Sequence, residues 1–113
     1  MVETVKNASK RVYILAIGCI TNVASAILMY PEMVNKASVF WLGANSLLFS
    51  DPKEYNLYQD VTAAQVLFNS GIPLALMPAR GVTDHLITTL PELRHYLGGN
   101  RNEISKYLLS LIE

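Results

Sequence analysis

Cysteine is almost missing from this sequence. Cys19 stands alone, which excludes an internal disulfide and fits a reducing compartment, the cytoplasm. Charge is scarce as well: charged residues make up 16% of the 113, and nine basic residues balance nine acidic ones with no basic run. That excludes nucleic-acid binding driven by phosphate neutralisation. No low-complexity segment, internal repeat or Gly/Pro/Ser-rich linker divides the chain, so it reads as one domain. The charge-free stretch from Val12 to Tyr30 is not expected to be a signal peptide, since it lacks a compact leader and a clear small-residue cleavage site.

Apolar residues fill the space left by charge, at 51% of the chain. Such a proportion suits a tightly packed α/β domain, or a piece whose buried faces meet further protein. The longest charge-free window, Val12 to Tyr30, reaches the length of a membrane span. Gly18, Thr21, Asn22 and Ser25 interrupt it, and a turn followed by a capped helix accounts for those residues, so no membrane span is expected.

Residues 2–9 are polar and weakly helical. Val12–Tyr13–Ile14–Leu15–Ala16–Ile17 is a continuous apolar run without alternation, the pattern of a strand buried on both faces. Gly18 ends it, and Thr21 or Asn22 is placed to cap a helix from about Val23 to Met29, halted by Pro31. Ser38–Val39–Phe40–Trp41–Leu42 reads as a second buried strand, with Trp41 in the core and a break at Gly43. A loop is expected from about Ala44 to Tyr58, with the turn signal Ser50–Asp51–Pro52. Asp60 then caps a helix over Val61 to Ser70, with Gly71 at its C′ position, and Ile72 to Met77 forms a third apolar strand. Thr89 and Glu92 make a capping-box pair for a short helix ending at Gly98–Gly99. A last helix from about Asn102 places Ile104, Tyr107, Leu108, Leu111 and Ile112 on one face.

Strands alternating with helices predict an α/β fold: a three-layer, Rossmann-like arrangement of a parallel sheet with βαβ crossovers. Ligands of such sheets sit beyond the carboxyl ends of the strands. Here those ends are Ile17–Gly18–Cys19, Leu42–Gly43–Ala44–Asn45 and Met77–Pro78–Ala79–Arg80.

Three segments at these positions carry a family resemblance. Ile17–Gly18–Cys19–Ile20–Thr21–Asn22–Val23–Ala24 resembles the strand–turn–helix motif G-x-L-T-N-[IVL]-A of the nucleoside hydrolases. Val39 to Ala44 resembles their second strand and the small-residue turn after it. Glu54–Tyr55–Asn56–Leu57–Tyr58–Gln59–Asp60–Val61–Thr62–Ala63–Ala64 resembles E-F-N-x-x-x-D-x-x-A-A, and Phe68 to Leu74 continues it. The three occur in the family's order and cover about residues 12 to 80. The resemblance implies hydrolysis of the N-glycosidic bond of purine or pyrimidine ribonucleosides, with a Ca²⁺ positioning the water and the ribose hydroxyls. It implies that the backbone carbonyl of Ile17 is a Ca²⁺ ligand, that Glu54 and Asn56 contact the ribose hydroxyls, and that Asn45 is a candidate for a further ribose contact.

The departures from the family pattern shape the expectation. The N-terminal D-x-D-x-x-x-D-D cluster, source of metal ligands and general base, has no counterpart among Asp51, Asp60 and Asp84. The family's C-terminal histidine and second metal-binding aspartate fall outside the matching segments. Residues 1–113 are therefore expected to form a single partial α/β domain, the central part of a nucleoside hydrolase, with no catalytic residues of its own. It is expected neither to hold Ca²⁺ nor to hydrolyse nucleosides alone. The alternative is a non-catalytic α/β binding or assembly module whose apolar faces are covered by self-association.

Plainer roles stand beside these for single residues. Cys19, after a strand at a helix N-terminus, is a candidate nucleophile or a small core residue. Asp84–His85 reads as a surface pair or helix cap, and His95 as a surface residue near a helix end. Arg80 is the basic residue placed to meet an anion.

Overall fold

A computed structural model describes residues 1–99 and 102–112. Three parallel strands form one sheet in the order β1 (Val12–Ala16), β2 (Ala37–Leu42), β3 (Leu74–Met77). The register pairs Ile14 with Val39 and Ala16 with Trp41, and carries Val39 and Trp41 on to Leu74 and Leu76. Between β1 and β2 run α2 (Thr21–Met29) and α3 (Met33–Lys36). Between β2 and β3 run α4 (Tyr55–Gln59) and α5 (Val61–Asn69). A first helix, α1 (Val2–Asn7), packs on α3, and α2 packs on α5. The expected α/β class and βαβ crossovers are what the chain builds.

Topology decides which sheet face is covered. Right-handed crossovers that step the same way across a sheet both lie on one face. With strand order β1-β2-β3, both crossovers therefore share a face, and burial agrees. Ala37, Val39 and Trp41 are fully buried against Val23, Ala24, Ile27, Ala63, Ala64 and Leu67 of α2 and α5. On the other face Tyr13, Leu15 and Ile17 are 65%, 76% and 82% exposed. The expectation that β1 is buried on both faces is thus corrected: its burial alternates. Its apolar run keeps the composition of a doubly covered strand, and the described residues cover one side. Two of the three expected layers are present.

Further differences are local. The helix after β1 begins at Thr21 itself, and its N-cap, Ile20, makes no side-chain capping bond, so neither Thr21 nor Asn22 is the cap. The loop expected over residues 44–58 contains α4, which Glu54 caps by accepting from the backbone N–H groups of Asn56 and Leu57. β3 starts at Leu74, two residues late, since Pro73 cannot donate to the ladder. Asp60 caps α5 through Ala63 N–H, and Gly71 follows that helix at φ +77°, as expected.

After β3 the chain makes a short 3₁₀ turn at Thr83–His85, then α6 (Leu90–Leu97) and α7 (Glu103–Ser110). Thr89 caps α6 through Glu92 N–H, and Asn102 caps α7 through Ile104 N–H. Among the described residues these two helices pack mainly on each other. The radius of gyration, 17.5 Å, records that arm, because a compact chain of this length has about 13 Å. Among the described residues no helix is long and apolar enough to cross a membrane.

Candidate functional site

Side chains from the segment after β2 tie the carboxyl ends of β1 and β2 together, and backbone bonds from Gly43 N–H to Met77 O and from Ala79 N–H to Ala44 O join the end of β3 to them. Asn56, buried at the start of α4, donates through Nδ2 to Leu42 O at 2.9 Å and to Ile17 O at 3.4 Å, bridging the ends of β2 and β1. Its neighbour Glu54 accepts three backbone N–H groups: Asn56 on Oε1 at 3.0 Å, and Ala44 and Leu57 on Oε2 at 3.0 and 3.3 Å. Ala44 is held at φ +61°, a left-handed conformation that costs a non-glycine residue of order 1 kcal/mol. The Glu54 bond to its N–H and the bond from Ala79 N–H to its carbonyl fix that conformation.

Gly43, just before it, has no room for a side chain, because a Cβ there would lie 2.4 Å from the Trp41 indole. Trp41 in turn donates through Nε1 to Gly18 O at 2.9 Å, fastening the turn after β1. Asn45, also buried, donates through Nδ2 to Asp51 O and Lys53 O at 3.1 and 2.8 Å, and so closes the loop between β2 and α4 on itself. A cleft of about 530 Å³ opens at this edge, lined by Asn45, Phe49, Asp51, Glu54, Tyr55 and Arg80 among others. Its size is within the range of small-molecule sites.

Ile17, Glu54 and Asn56 are therefore brought together: Asn56 touches the Ile17 carbonyl, and Glu54 caps the turn that carries Asn56. Asn45 shares the cleft with Glu54. In each case the polar atoms already serve the backbone. Both amide protons of Asn56 and both of Asn45 have acceptors, and Glu54 has about one of its four lone-pair positions left. The acceptor atoms Oδ1 of Asn45 and Asn56, with the remaining Glu54 position, are what a ligand hydroxyl can use.

Sequence reasoning missed one connection. Thr21 donates its hydroxyl to Asp60 Oδ2 at 2.6 Å, so the cap of α5 also holds the first turn of α2 beside the β1 end. This hydroxyl, with Ala63 N–H second, lowers the Asp60 pKa against a small opposing effect of burial. A threonine in the first motif and an aspartate in the third gave no sign of being partners, because that contact depends on α2 packing against α5. Cys19 Sγ lies 3.1 Å from the same Thr21 hydroxyl and is half-buried, outside the apolar core. Asp84 accepts from Gly81 N–H, with His85 Nε2 3.8 Å away and both side chains well exposed, a surface pair as expected. His95 is exposed in the last turn of α6, edge-on to Tyr96. The described residues contain no group of three or more His, Cys, Asp or Glu side chains able to hold a metal ion.

Comparison with known proteins matches the whole chain, residues 1–113, to the family model of inosine-uridine preferring nucleoside hydrolases. An uncharacterised protein of Schizosaccharomyces pombe is 35% identical over 83 residues, 69% of this chain and 27% of the relative. The pyrimidine-specific ribonucleoside hydrolase RihA of Salmonella schwarzengrund is 35% identical over 79 residues, 67% of this chain and 25% of the enzyme. Among solved structures, the inosine-uridine preferring nucleoside hydrolase of Bacillus anthracis superposes with a TM-score of 0.75 at 20% identity. That match covers 96% of this chain and 38% of the other. The chain thus spans about a quarter of the length of the curated relatives it matches.

Proposed function

Because the chain belongs to the inosine-uridine preferring nucleoside hydrolase family, we propose that it carries the ribose-facing part of a ribonucleoside N-glycosidase site without the catalytic part. In this reading Glu54 and Asn56 address the ribose hydroxyls, Asn45 shapes the cleft and adds a polar contact, and the Ile17 carbonyl faces the metal position. The observation that carries it is the convergence of Ile17, Glu54 and Asn56 at the carboxyl end of the sheet, joined by the Asn56 bridge. The ligand class is a purine or pyrimidine ribonucleoside, and the compartment the cytoplasm.

The residues present do not make up a calcium site. Ca²⁺ takes six to eight oxygens, mostly from carboxylates. Glu54 is occupied by three N–H groups, and the Ile17 carbonyl already accepts from Asn56. Asp51, Asp60 and Asp84 each serve a local turn or cap: Asp51 accepts from Lys53 N–H, Asp60 from Ala63 N–H and Thr21, and Asp84 from Gly81 N–H. With neither metal nor base, no group activates a water, and the chain alone hydrolyses nothing. Carboxylates from outside these 113 residues are required. A non-catalytic module that self-associates is the second reading, favoured by the open apolar sheet face.

Amide chemical-shift mapping with uridine and inosine tests the binding half. Saturable shifts at Asn45, Glu54 and Asn56, lost in Glu54→Ala, are expected. Shifts scattered over the sheet face, or absent even at high nucleoside concentration, overturn the assignment of those three residues.

A further inference from the structure

Arg80 lines the cleft beyond β3 but has no part in the ribose contacts assigned to Glu54, Asn56 and Asn45. Its side chain is exposed, while its backbone is fixed to the turn that Glu54 holds. Ser46 N–H donates to Arg80 O at 3.0 Å, and Ala79 N–H, one residue before, donates to Ala44 O at 2.9 Å. Gly81, at φ +90°, turns the chain away at once, and a Cβ there would lie 2.9 Å from Ser46 Cβ. Asp84 closes this turn: its Oδ1 accepts from Gly81 N–H, and its own N–H donates to Ala79 O. Glu54 holds the other end of residues 44–46 through Ala44 N–H. One three-residue segment therefore sets a carboxylate and a guanidinium in register, and both line the cleft.

Charge decides what Arg80 can meet. Asp51 and Glu54 line the same cleft, yet among the described residues the guanidinium makes no ion pair with either. Both carboxylates accept from backbone N–H groups instead: Asp51 from Lys53, and Glu54 from Ala44, Asn56 and Leu57. Lys53, the other cation of the lining, stands over the Tyr58 ring at 5.7 Å. Arg80 thus brings a permanent charge and a planar fork of N–H donors to the cleft. A neutral base or hydroxyl leaves that charge unmatched. A phosphate offers paired oxygens to the fork together with the opposite charge.

We propose that the cleft takes a ribonucleoside 5′-monophosphate, with Arg80 on the phosphate and the ribose hydroxyls toward Glu54 and Asn56. The proposal rests on the ribose-facing reading of the site and adds the anionic end of the ligand. The cleft, about 530 Å³, is within the range of sites for ligands of this size.

Isothermal titration calorimetry and amide-shift mapping of the intact chain with uridine and uridine 5′-monophosphate provide the test. The monophosphate is expected to bind at least ~10-fold more tightly than uridine, as a charge-assisted contact gives. Its shifts are expected at Arg80 and Gly81 as well as at Glu54 and Asn56, and its advantage is expected to shrink as salt is added. Arg80→Gln is expected to bring the two affinities together, and Arg80→Lys to keep part of the difference. Equal affinities in the parent chain, or an advantage that Arg80→Gln leaves intact, overturn the phosphate assignment while the ribose reading stands. Monophosphate binding that shifts Arg80 but neither Glu54 nor Asn56, and that survives Glu54→Ala, overturns the ribose reading and with it this placement of the ligand. No saturable binding of either ligand overturns both.

Discussion

The two faces of the one sheet differ sharply. On the helix side, β2 contributes Ala37, Val39 and Trp41, all fully buried, and the Trp41 N–H finds Gly18 O. On the opposite side Tyr13 and Leu15 of β1, with Ile17 just after it, are as apolar and lie mostly in solvent. Composition alone makes the two sets equivalent. Only one set has received its layer, because two crossovers of the same hand and direction cannot reach both faces. Stability is therefore concentrated on one side of the molecule, and the described residues leave the other side uncovered.

Substitutions that exchange large for small on each face sharpen this contrast. Trp41→Ala is expected to have the largest effect, about 3–5 kcal/mol in a urea melt, for the lost burial and cavity. It also removes the bond to Gly18 and the tilted contact with Phe68. A loss below ~1 kcal/mol would break the claim that this face carries the fold. Asn56→Ala comes next, at about 1–3 kcal/mol, since it strips the bridge from Leu42 O and Ile17 O. It is expected to loosen the β1 and β2 ends together, read as faster amide exchange in residues 17–20 and 43–45.

Asp60 gives a smaller effect with a defined pH dependence. Its pKa is lowered in the folded chain, chiefly by the Thr21 hydroxyl, so the unfolded chain binds the proton first. The stability it contributes is present above the ordinary carboxylate range and is lost as pH falls through the lowered value. Thermal melts taken from neutral into acid should fall less steeply for Asp60→Asn than for the parent, and Thr21→Val should behave the same way. Parallel acid limbs in all three would dismiss the Thr21–Asp60 link. Smallest of all, Leu15→Ser on the open face is expected to change monomer stability by less than ~0.5 kcal/mol, with solubility rising.

The parts of this molecule legible in sequence are those written locally. Asp60 before α5, Gly71 after it, Thr89 before α6 and the three strand runs are signalled within a few residues. The motif at Glu54 and Asn56 marked their segment, but not their backbone work. Glu54 caps α4 and also accepts from the N–H of Ala44 ten residues earlier, and Asn56 is a bridge because two strand ends meet there. β1 misled for a physical reason: a doubly apolar strand records the environment its composition suits, and the described residues supply half of it. The Thr21–Asp60 bond and the detached arm belong to packing between elements, which local pattern does not encode.

A hydrolysis assay with the purified chain, excess Ca²⁺ and either inosine or uridine, read as released ribose, is the most direct check on the claim that this chain holds the ribose side of a nucleoside hydrolase site and not its catalysis. The expected result is a rate equal to the protein-free control with either nucleoside. Calcium-dependent release of ribose that scales with chain concentration and disappears in Glu54→Ala would contradict it.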